Sequence, residues 1–133
     1  MTQPDPTPNS NQRIIDYLVN DLHHEDNLLH EVEPMSSYGD QVTKDLCSRA
    51  EIGKERYGTY LQPHNGRDAL LDSYEEALDL ATYLMQVVVE TGSTKKDEEY
   101  WAYRDALYVA ARIAKLMEKR QNGKGSKEAG IQE

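Results

Sequence analysis

Apolar residues recur every three or four positions along most of this chain, which is the pattern of amphipathic helices. The clearest example lies between residues 67 and 90, where one face carries Leu70, Leu71, Tyr74, Ala77, Leu78, Ala81 and Leu84. Strict alternation of apolar and polar residues, the pattern of half-buried strands, is almost absent. The pattern therefore predicts an all-α protein.

Four helical segments are predicted between turn-forming residues. They cover approximately residues 11–31, 37–56, 67–90 and 94–120. The first ends before Pro34, because the residue preceding a proline avoids helical geometry. At the start of the fourth, we expect the Thr94 hydroxyl to accept a hydrogen bond from the backbone N–H of Asp97. Short connections between long helices favour antiparallel neighbours, so we predict an antiparallel bundle of about four helices.

The other three segments carry their own apolar faces. Their predicted core positions are Ile14, Ile15, Leu18, Leu22, Leu28 and Leu29, then Val42, Leu46, Ala50 and Ile52, and last Trp101, Ala102, Ala106, Val109, Ile113 and Leu116. The aromatic cluster around Trp101 is interpreted as core or subunit interface.

The two ends of the chain differ from the middle in composition. Residues 1–10 and 121–133 are rich in polar residues, proline or glycine, and both are predicted to be disordered. Residues 11–120 are predicted to form a single domain. A chain of about 110 ordered residues is marginal for a large monomeric core, so we expect a homo-oligomer, either a dimer or a tetramer.

The chain is acidic, with a formal net charge of -9. This charge argues against binding to nucleic-acid polymers and to anionic membranes, because both select basic surfaces. The sequence contains neither an uninterrupted apolar stretch of transmembrane length nor a secretory signal pattern, so we expect a soluble, cytoplasmic protein. The one cysteine, Cys47, excludes an internal disulfide and is expected to be buried and structural.

The polar face of the third segment is unusually acidic. It carries Asp68, Asp72, Glu75, Glu76 and Asp79 with no lysine or arginine among them. Like charges one turn apart repel and destabilise a helix, whereas Mg²⁺ and Mn²⁺ prefer carboxylate oxygens. A metal-binding face is therefore one interpretation, and an ordinary solvated face is the other.

The segment GKERYGTYLQPHNGRDALLDSYEEALDLATYL, residues 53–84, resembles the small MazG-like proteins of phages and bacteria. These belong to the all-α nucleoside triphosphate pyrophosphohydrolases, in which a Glu-Glu-x-x-Asp helix followed by an apolar run supplies metal ligands. Glu75, Glu76 and Asp79 stand at those positions. The resemblance implies a MazG-like fold and Mg²⁺-dependent cleavage of a nucleotide between its α- and β-phosphates.

One part of the family pattern is altered. Catalytic members carry a second motif, Glu-Glu-x-x-Glu, on the preceding helix, and RAEIGKERYG does not match it. Three interpretations stay open: Glu51 and Glu55 substitute for that motif, Asp68 and Asp72 take its role, or catalysis has been lost.

The site residues are assigned as follows. The predicted metal ligands are Glu76, Asp79, Asp72 and Asp68, and the predicted catalytic residues are Asp72 and Glu75, which would activate water. The predicted substrate-binding residues are Lys54, Tyr57, His64, Asn65 and Arg67. The expected cofactor is Mg²⁺ or Mn²⁺, and the expected partner is a nucleotide. Two other functions remain: a non-catalytic nucleotide-binding protein, such as a phage sponge for a nucleotide immune signal, or a structural interaction module.

Overall fold

The computed structural model describes residues 3–5, 12–22 and 39–131, with side chains described up to residue 125. Over these ranges the backbone forms four α-helices and no strand, which confirms the predicted all-α class. The helices are α1 (Ile14–Leu22), α2 (Gly39–Tyr57), α3 (Ala69–Thr91) and α4 (Glu98–Ile131). Within these ranges, none of the helices is both long enough and apolar enough to cross a membrane.

The chain divides into two compact units, Met1–Arg67 and Asp68–Glu133. Helices α1 and α2 belong to the first unit, and helices α3 and α4 belong to the second. The single domain predicted over residues 11–120 covers parts of both units. The extension of the first predicted helix over residues 23–31, with Leu28 and Leu29, lies outside the described residues, as do most of residues 1–10.

In the first unit, α1 packs on α2 and is tied to the chain that follows α2. The backbone N–H of Ile14 donates to the carbonyl of Leu61 at 2.8 Å. Of the predicted core residues of α2, Leu46 is half-buried but Val42 and Ile52 are exposed. The prediction was wrong at those two positions: Val42 is 38% exposed, and Ile52, at 50%, lies off the face of α2 that carries the half-buried Leu46 and Ala50.

In the second unit, α3 and α4 form an antiparallel hairpin. Helix α3 ends at Gly92, whose left-handed backbone (φ 64°) terminates the helix and allows the chain to reverse. The Arg120 side chain of α4 contacts Asp68, the residue that precedes α3. Because the end of α3 leads directly into α4 and its beginning lies beside Arg120, the two helices run in opposite directions.

The packing seam of this hairpin follows a heptad pattern. Buried or half-buried residues recur at alternating steps of four and three on both helices, which is the spacing of a coiled-coil contact. They are Leu70, Tyr74, Ala77, Ala81, Leu84 and Val88 on α3, and Tyr103, Ala106, Ala110, Ile113 and Met117 on α4. The most deeply buried of them include four alanines, Ala77, Ala81, Ala106 and Ala110. Small side chains at a seam allow the helix axes to approach closely.

The packed face of α4 differs from the predicted one. Trp101 is 50% exposed and Leu116 is 52% exposed, whereas Ala106 is buried as expected. Helix α4 carries apolar side chains on more than one face, so its periodicity does not identify a unique buried face. The face that packs is the one whose alanines can meet the alanines of α3.

The ends of α4 also differ from the predicted ends. The helix begins at Glu98 after a turn, in which the Asp97 carboxylate accepts from the backbone N–H of Thr94 at 2.8 Å. This is one of the two bonds of the predicted capping-box-like pattern; the other differs, because the Asp97 N–H donates to the backbone carbonyl of Thr94 at 2.9 Å and not to its hydroxyl. The helix continues to Ile131, past the predicted end near Arg120. Glycines disfavour a helix there, but no proline interrupts the backbone hydrogen bonding.

We expect the alanine seam to be intolerant of larger residues. Replacing the buried Ala81 with leucine forces the helices apart and should lower the free energy of unfolding by about 1–3 kcal/mol. The measurement is urea unfolding followed by circular dichroism. Ala114→Leu is the matched control, because Ala114 is exposed on α4, and its effect should stay within about 0.5 kcal/mol. Equal effects of the two substitutions would contradict the described seam.

Candidate functional site

Four of the predicted acidic residues form an exposed stripe on α3, which we call the acidic stripe: Asp72, Glu75, Glu76 and Asp79. It lies on the face opposite the alanine seam, as the 100° rotation per residue of a helix requires. Glu75, Glu76 and Asp79 are exposed and Asp72 is half-buried. Within the described part of the chain, none of Glu75, Glu76 and Asp79 forms an ion pair. Their mutual repulsion is therefore not offset by a neighbouring base.

The acidic stripe offers carboxylates in pairs. Glu76 and Asp79 lie three residues apart, on adjacent turns of the same face. Among the described residues, no group of three or more His, Cys, Asp or Glu side chains is close enough to hold a metal ion. A pair of carboxylates suits Mg²⁺, because this ion usually keeps several waters and binds one or two carboxylates.

Asp68 has a structural role that the sequence analysis did not predict. Its carboxylate caps α3 by accepting from the backbone N–H groups of Leu70 and Leu71, at 3.1 and 3.2 Å. Both carboxylate oxygens also accept from the Arg120 guanidinium, each at 2.9 Å. The hydrogen bonds from Arg120, followed by that from the Leu71 N–H, lower the pKa of Asp68 to about 2. Asp68 thereby joins the beginning of α3 to α4.

A sequence signal for this role exists. An aspartate directly before an apolar-periodic segment is a typical N-cap, and α3 begins at Ala69 rather than at the predicted residue 67. The partner Arg120 could not be found in this way, because the pairing depends on the register of the hairpin. Metal binding by Asp68 stays a prediction, and it would compete with these two contacts.

The loop before α3 is built around Asn65. Asn65 is 8% exposed, and its side-chain oxygen accepts from the backbone N–H of Arg67 at 3.1 Å. This is an Asx turn, in which the side chain replaces a backbone acceptor. His64 is exposed and has a left-handed backbone, with φ at 56°. The Arg67 guanidinium donates to the carbonyl of Pro4 at 2.6 Å. Asn65 therefore shapes the loop, and His64 is presented to solvent.

The remaining predicted substrate residues lie on α2. The ammonium of Lys54 is 4.7 Å from the ring centroid of Tyr60. Tyr57 is exposed, with the Arg56 guanidinium carbon 5.3 Å from its ring centroid. The hydroxyl of Tyr60 donates to Glu51, one of the two glutamates proposed as substitutes for the missing motif. Lys54 and Glu51 are thus both in contact with Tyr60.

The predicted residues fall into both units. Lys54, Tyr57, His64, Asn65 and Arg67 belong to the first unit. Asp68 and the four residues of the acidic stripe belong to the second. In the first unit the predicted residues lie on α2 and in the loop that follows it. In the second unit they lie directly before α3 and along it.

A cleft in the first unit was not predicted. It has a volume of about 440 Å³ and is lined by Arg13, Ile15, Asp16, Val19, Asn20, Cys47, Ala50, Glu51 and Tyr60. Cys47 is exposed, so the expectation that it is buried was wrong. Cys47 belongs to α2 and lines the cleft, and the described part of α1 does not cover its side chain. The opposite charges of Arg13 and Asp16, three residues apart, were the one local sequence signal for this cluster.

Comparisons of the chain with protein-family models, with curated proteins and with solved structures find no significant match. The resemblance to the MazG-like proteins therefore rests on the residues of segment 53–84 alone.

The Asp68 contacts predict a pH dependence of stability. Because the pKa of Asp68 is lowered on folding, its contribution is complete above the usual value of 3.8 and is lost as the pH falls towards about 2. Asp68→Asn keeps a capping oxygen but removes the charge, so its stability should change less over this range. Asp68→Ala removes the cap as well and should give the lowest thermal midpoint.

The measurement is thermal unfolding at a series of pH values between 2 and 3.8, where the Asp68 carboxyl binds a proton in the unfolded chain but stays mostly ionised in the folded protein. Asp105→Asn is the matched control, because Asp105 is exposed on α4. Identical pH profiles for the wild type and Asp68→Asn would show that the charge of Asp68 does not stabilise the fold.

Proposed function

We propose that this chain is a Mg²⁺-dependent nucleotide pyrophosphohydrolase of the MazG-like class, which converts a nucleoside triphosphate to a monophosphate and pyrophosphate. The observation that carries the proposal is the acidic stripe. Glu75, Glu76 and Asp79 of the stripe are exposed, form no ion pair among the described residues and match the Glu-Glu-x-x-Asp pattern.

The helix that carries the stripe is well defined at both ends. Asp68 caps its beginning, and the Gly92 N–H bonds back to the Val89 carbonyl at 3.3 Å at its end. Because the helix is also held by the alanine seam, the carboxylates of the stripe project from a rigid support. Rigid support favours a binding site, because side chains that are already positioned lose less entropy on binding.

The proposed roles follow from the positions on the stripe. Glu76 and Asp79 hold the divalent ion, and Asp72 lies one turn before Glu76. Bound Mg²⁺ or Mn²⁺ supplies charge neutralisation for the phosphates and favours ionisation of a water. Asp72 or Glu75 would accept a proton from the attacking water; the water oxygen would bond to the α-phosphorus while the bond from that phosphorus to the oxygen shared with the β-phosphate breaks, which releases pyrophosphate. Lys54, Tyr57, His64, Asn65 and Arg67 are proposed to contact the substrate.

A second function is supported by two observations. The described residues include no three-ligand metal group, and Asp68 is committed to capping and to Arg120. Both observations favour a non-catalytic nucleotide-binding protein, because such a protein would need fewer metal-coordinating residues. A nucleotide would then raise the thermal midpoint without a divalent ion and without being consumed. If no nucleotide changes the midpoint, a structural interaction module is the remaining function.

A homo-oligomer, either a dimer or a tetramer, is proposed from the apolar surface of the second unit. Leu80, Tyr83 and Val87 form one exposed flank of α3, and Tyr83 is 66% exposed. On α4, Val109 and Leu116 are exposed as well. Apolar side chains clustered in this way mark interaction surfaces.

The enzyme proposal is tested by pyrophosphate release from the common ribo- and deoxynucleotides with Mg²⁺ or Mn²⁺. Glu76→Gln and Asp79→Asn each remove a proposed metal ligand. Each should raise the metal concentration needed for half-maximal activity by at least about 10–100-fold, which is the effect of replacing a residue that only orients a ligand. Glu75 and Asp72 are the two candidates for the general base. Replacing the one that acts as the base, by Glu75→Gln or Asp72→Asn, should lower the rate by about 10²–10⁴-fold. Asp105→Asn is the control. If the wild type releases no pyrophosphate from any of these nucleotides, the enzyme proposal fails.

The oligomer proposal is tested by sedimentation velocity over a range of protein concentrations. Leu80→Asp places a charge on the exposed flank of α3 and should shift the protein from oligomer to monomer, because burying that charge is costly. Thr82→Asp, also exposed on α3 but away from that flank, should leave the distribution unchanged. A wild type that sediments as a monomer at every concentration refutes the proposal.

A further inference from the structure

The cleft of the first unit has the size and lining of a small-molecule site. Its volume of about 440 Å³ lies within the roughly 300–1,000 Å³ range of ligand pockets. Ile15 and Val19 of α1 and Ala50 of α2 supply apolar walls. The polar groups are gathered from α1, α2 and the following loop. Mostly apolar walls with a few convergent polar groups are typical of sites that bind a small organic molecule.

The polar groups of the cleft hold one another in place. Arg13 donates from Nε and Nη2 to the two carboxylate oxygens of Asp16, at 2.9 and 2.7 Å. The same guanidinium lies 4.6 Å from the ring centroid of Tyr60, whose hydroxyl donates to Glu51. This connected set restricts Tyr60 and Glu51 to defined positions before any ligand binds.

The charges of the cleft select against ions. Arg13 is paired with Asp16, and the negative charge of Glu51 is balanced by Lys54, which lies on the same Tyr60 ring, so the cleft has no net positive charge to attract phosphate or another anion. An organic cation would be attracted by Glu51, but the aromatic ring that would receive it already faces two cations. Arg13 and Lys54 both lie within 5 Å of the Tyr60 ring centroid, at 4.6 and 4.7 Å. The charges of the cleft therefore favour a neutral ligand.

Two hydrogen-bonding groups are available to such a ligand. Within the described part of the chain, Glu51 accepts only at Oε1, from Tyr60, so its Oε2 and the second lone pair of Oε1 can both accept from a ligand. The Asn20 side-chain amide also forms no hydrogen bond there, and it can both donate and accept. A carboxylate pairs best with two adjacent N–H donors.

We propose that this cleft binds a neutral, planar base that presents adjacent N–H donors, the chemistry of guanine. The ring lies against the apolar walls, Glu51 accepts from the ring N–H and the exocyclic amino group, and Asn20 bonds to the remaining edge. This assignment rests on the proposed nucleotide function and names the base that the protein selects. It requires neither phosphate nor metal.

Cys47 provides a direct measurement. It is the one cysteine of the chain, it is exposed and it lines the cleft, so a bound base should slow its alkylation. The experiment follows the rate of iodoacetamide labelling of the full chain, without metal, in increasing guanosine, adenosine or spermidine. We expect saturable protection by guanosine, at least about tenfold weaker protection by adenosine, and none by spermidine.

The variant Glu51→Gln separates recognition from general shielding. It should weaken protection by guanosine by at least about tenfold, since a neutral amide replaces the carboxylate acceptor. Glu55→Gln, on the same helix but outside the cleft, should leave protection unchanged. Circular dichroism of both variants verifies that they are folded.

The outcomes distinguish this assignment from the proposed function. Equal protection by all three compounds, equal protection by guanosine and adenosine, or none by guanosine up to its solubility limit would overturn the base assignment. Pyrophosphate release without guanosine protection would leave the proposed enzyme standing and overturn only this inference. Guanosine protection without pyrophosphate release would support it and favour the binding function over the enzyme.

Discussion

The close approach of α3 and α4 is the constraint on which the second unit depends. Four small side chains at the centre of the seam, Ala77, Ala81, Ala106 and Ala110, allow the helices to meet. Because small residues bury little area each, the seam alone supplies modest stabilisation, and the ends of the hairpin need further contacts. Asp68 supplies one, by capping α3 and binding Arg120 at the same time.

Much of the fold could be predicted from the sequence, and the limits have physical causes. The all-α class and the end of α3 near Gly92 follow from local periodicity and turn chemistry, which the chain encodes within a few residues. The packed face of α4 could not be predicted, because apolar residues cover several of its faces. The choice between them depends on which side chains of α3 lie opposite, and this is non-local information. The continuation of α4 beyond Arg120 was not predicted, because the glycines in this stretch disfavour a helix even though no proline interrupts it.

The candidate site also combines features that local sequence predicts with features that depend on how the helices pack. The acidic stripe is visible in the sequence, since helical geometry alone places Glu75, Glu76 and Asp79 on one exposed face. The role of Asp68 needed the hairpin register, and the cleft needed the packing of α1 on α2. Residues such as Arg13 and Asn20 carry no motif, so only their convergence in space identifies them. Asn65, a predicted substrate residue, also builds the loop in which it lies, because its side-chain oxygen accepts from the Arg67 N–H.

The position of the acidic stripe relative to the alanine seam has a consequence for how a site could be completed. The stripe and the seam occupy opposite sides of one helix, and a helix with its side chains is about 10–12 Å across. Groups on α4 that face the seam therefore cannot complete a coordination sphere at the stripe. Any protein ligand beyond the carboxylates of α3 would therefore come from outside this helix pair, for example from another copy of the chain. If it comes from another copy, the active centre is composite, and specific activity depends on protein concentration, falling on dilution as the subunits separate.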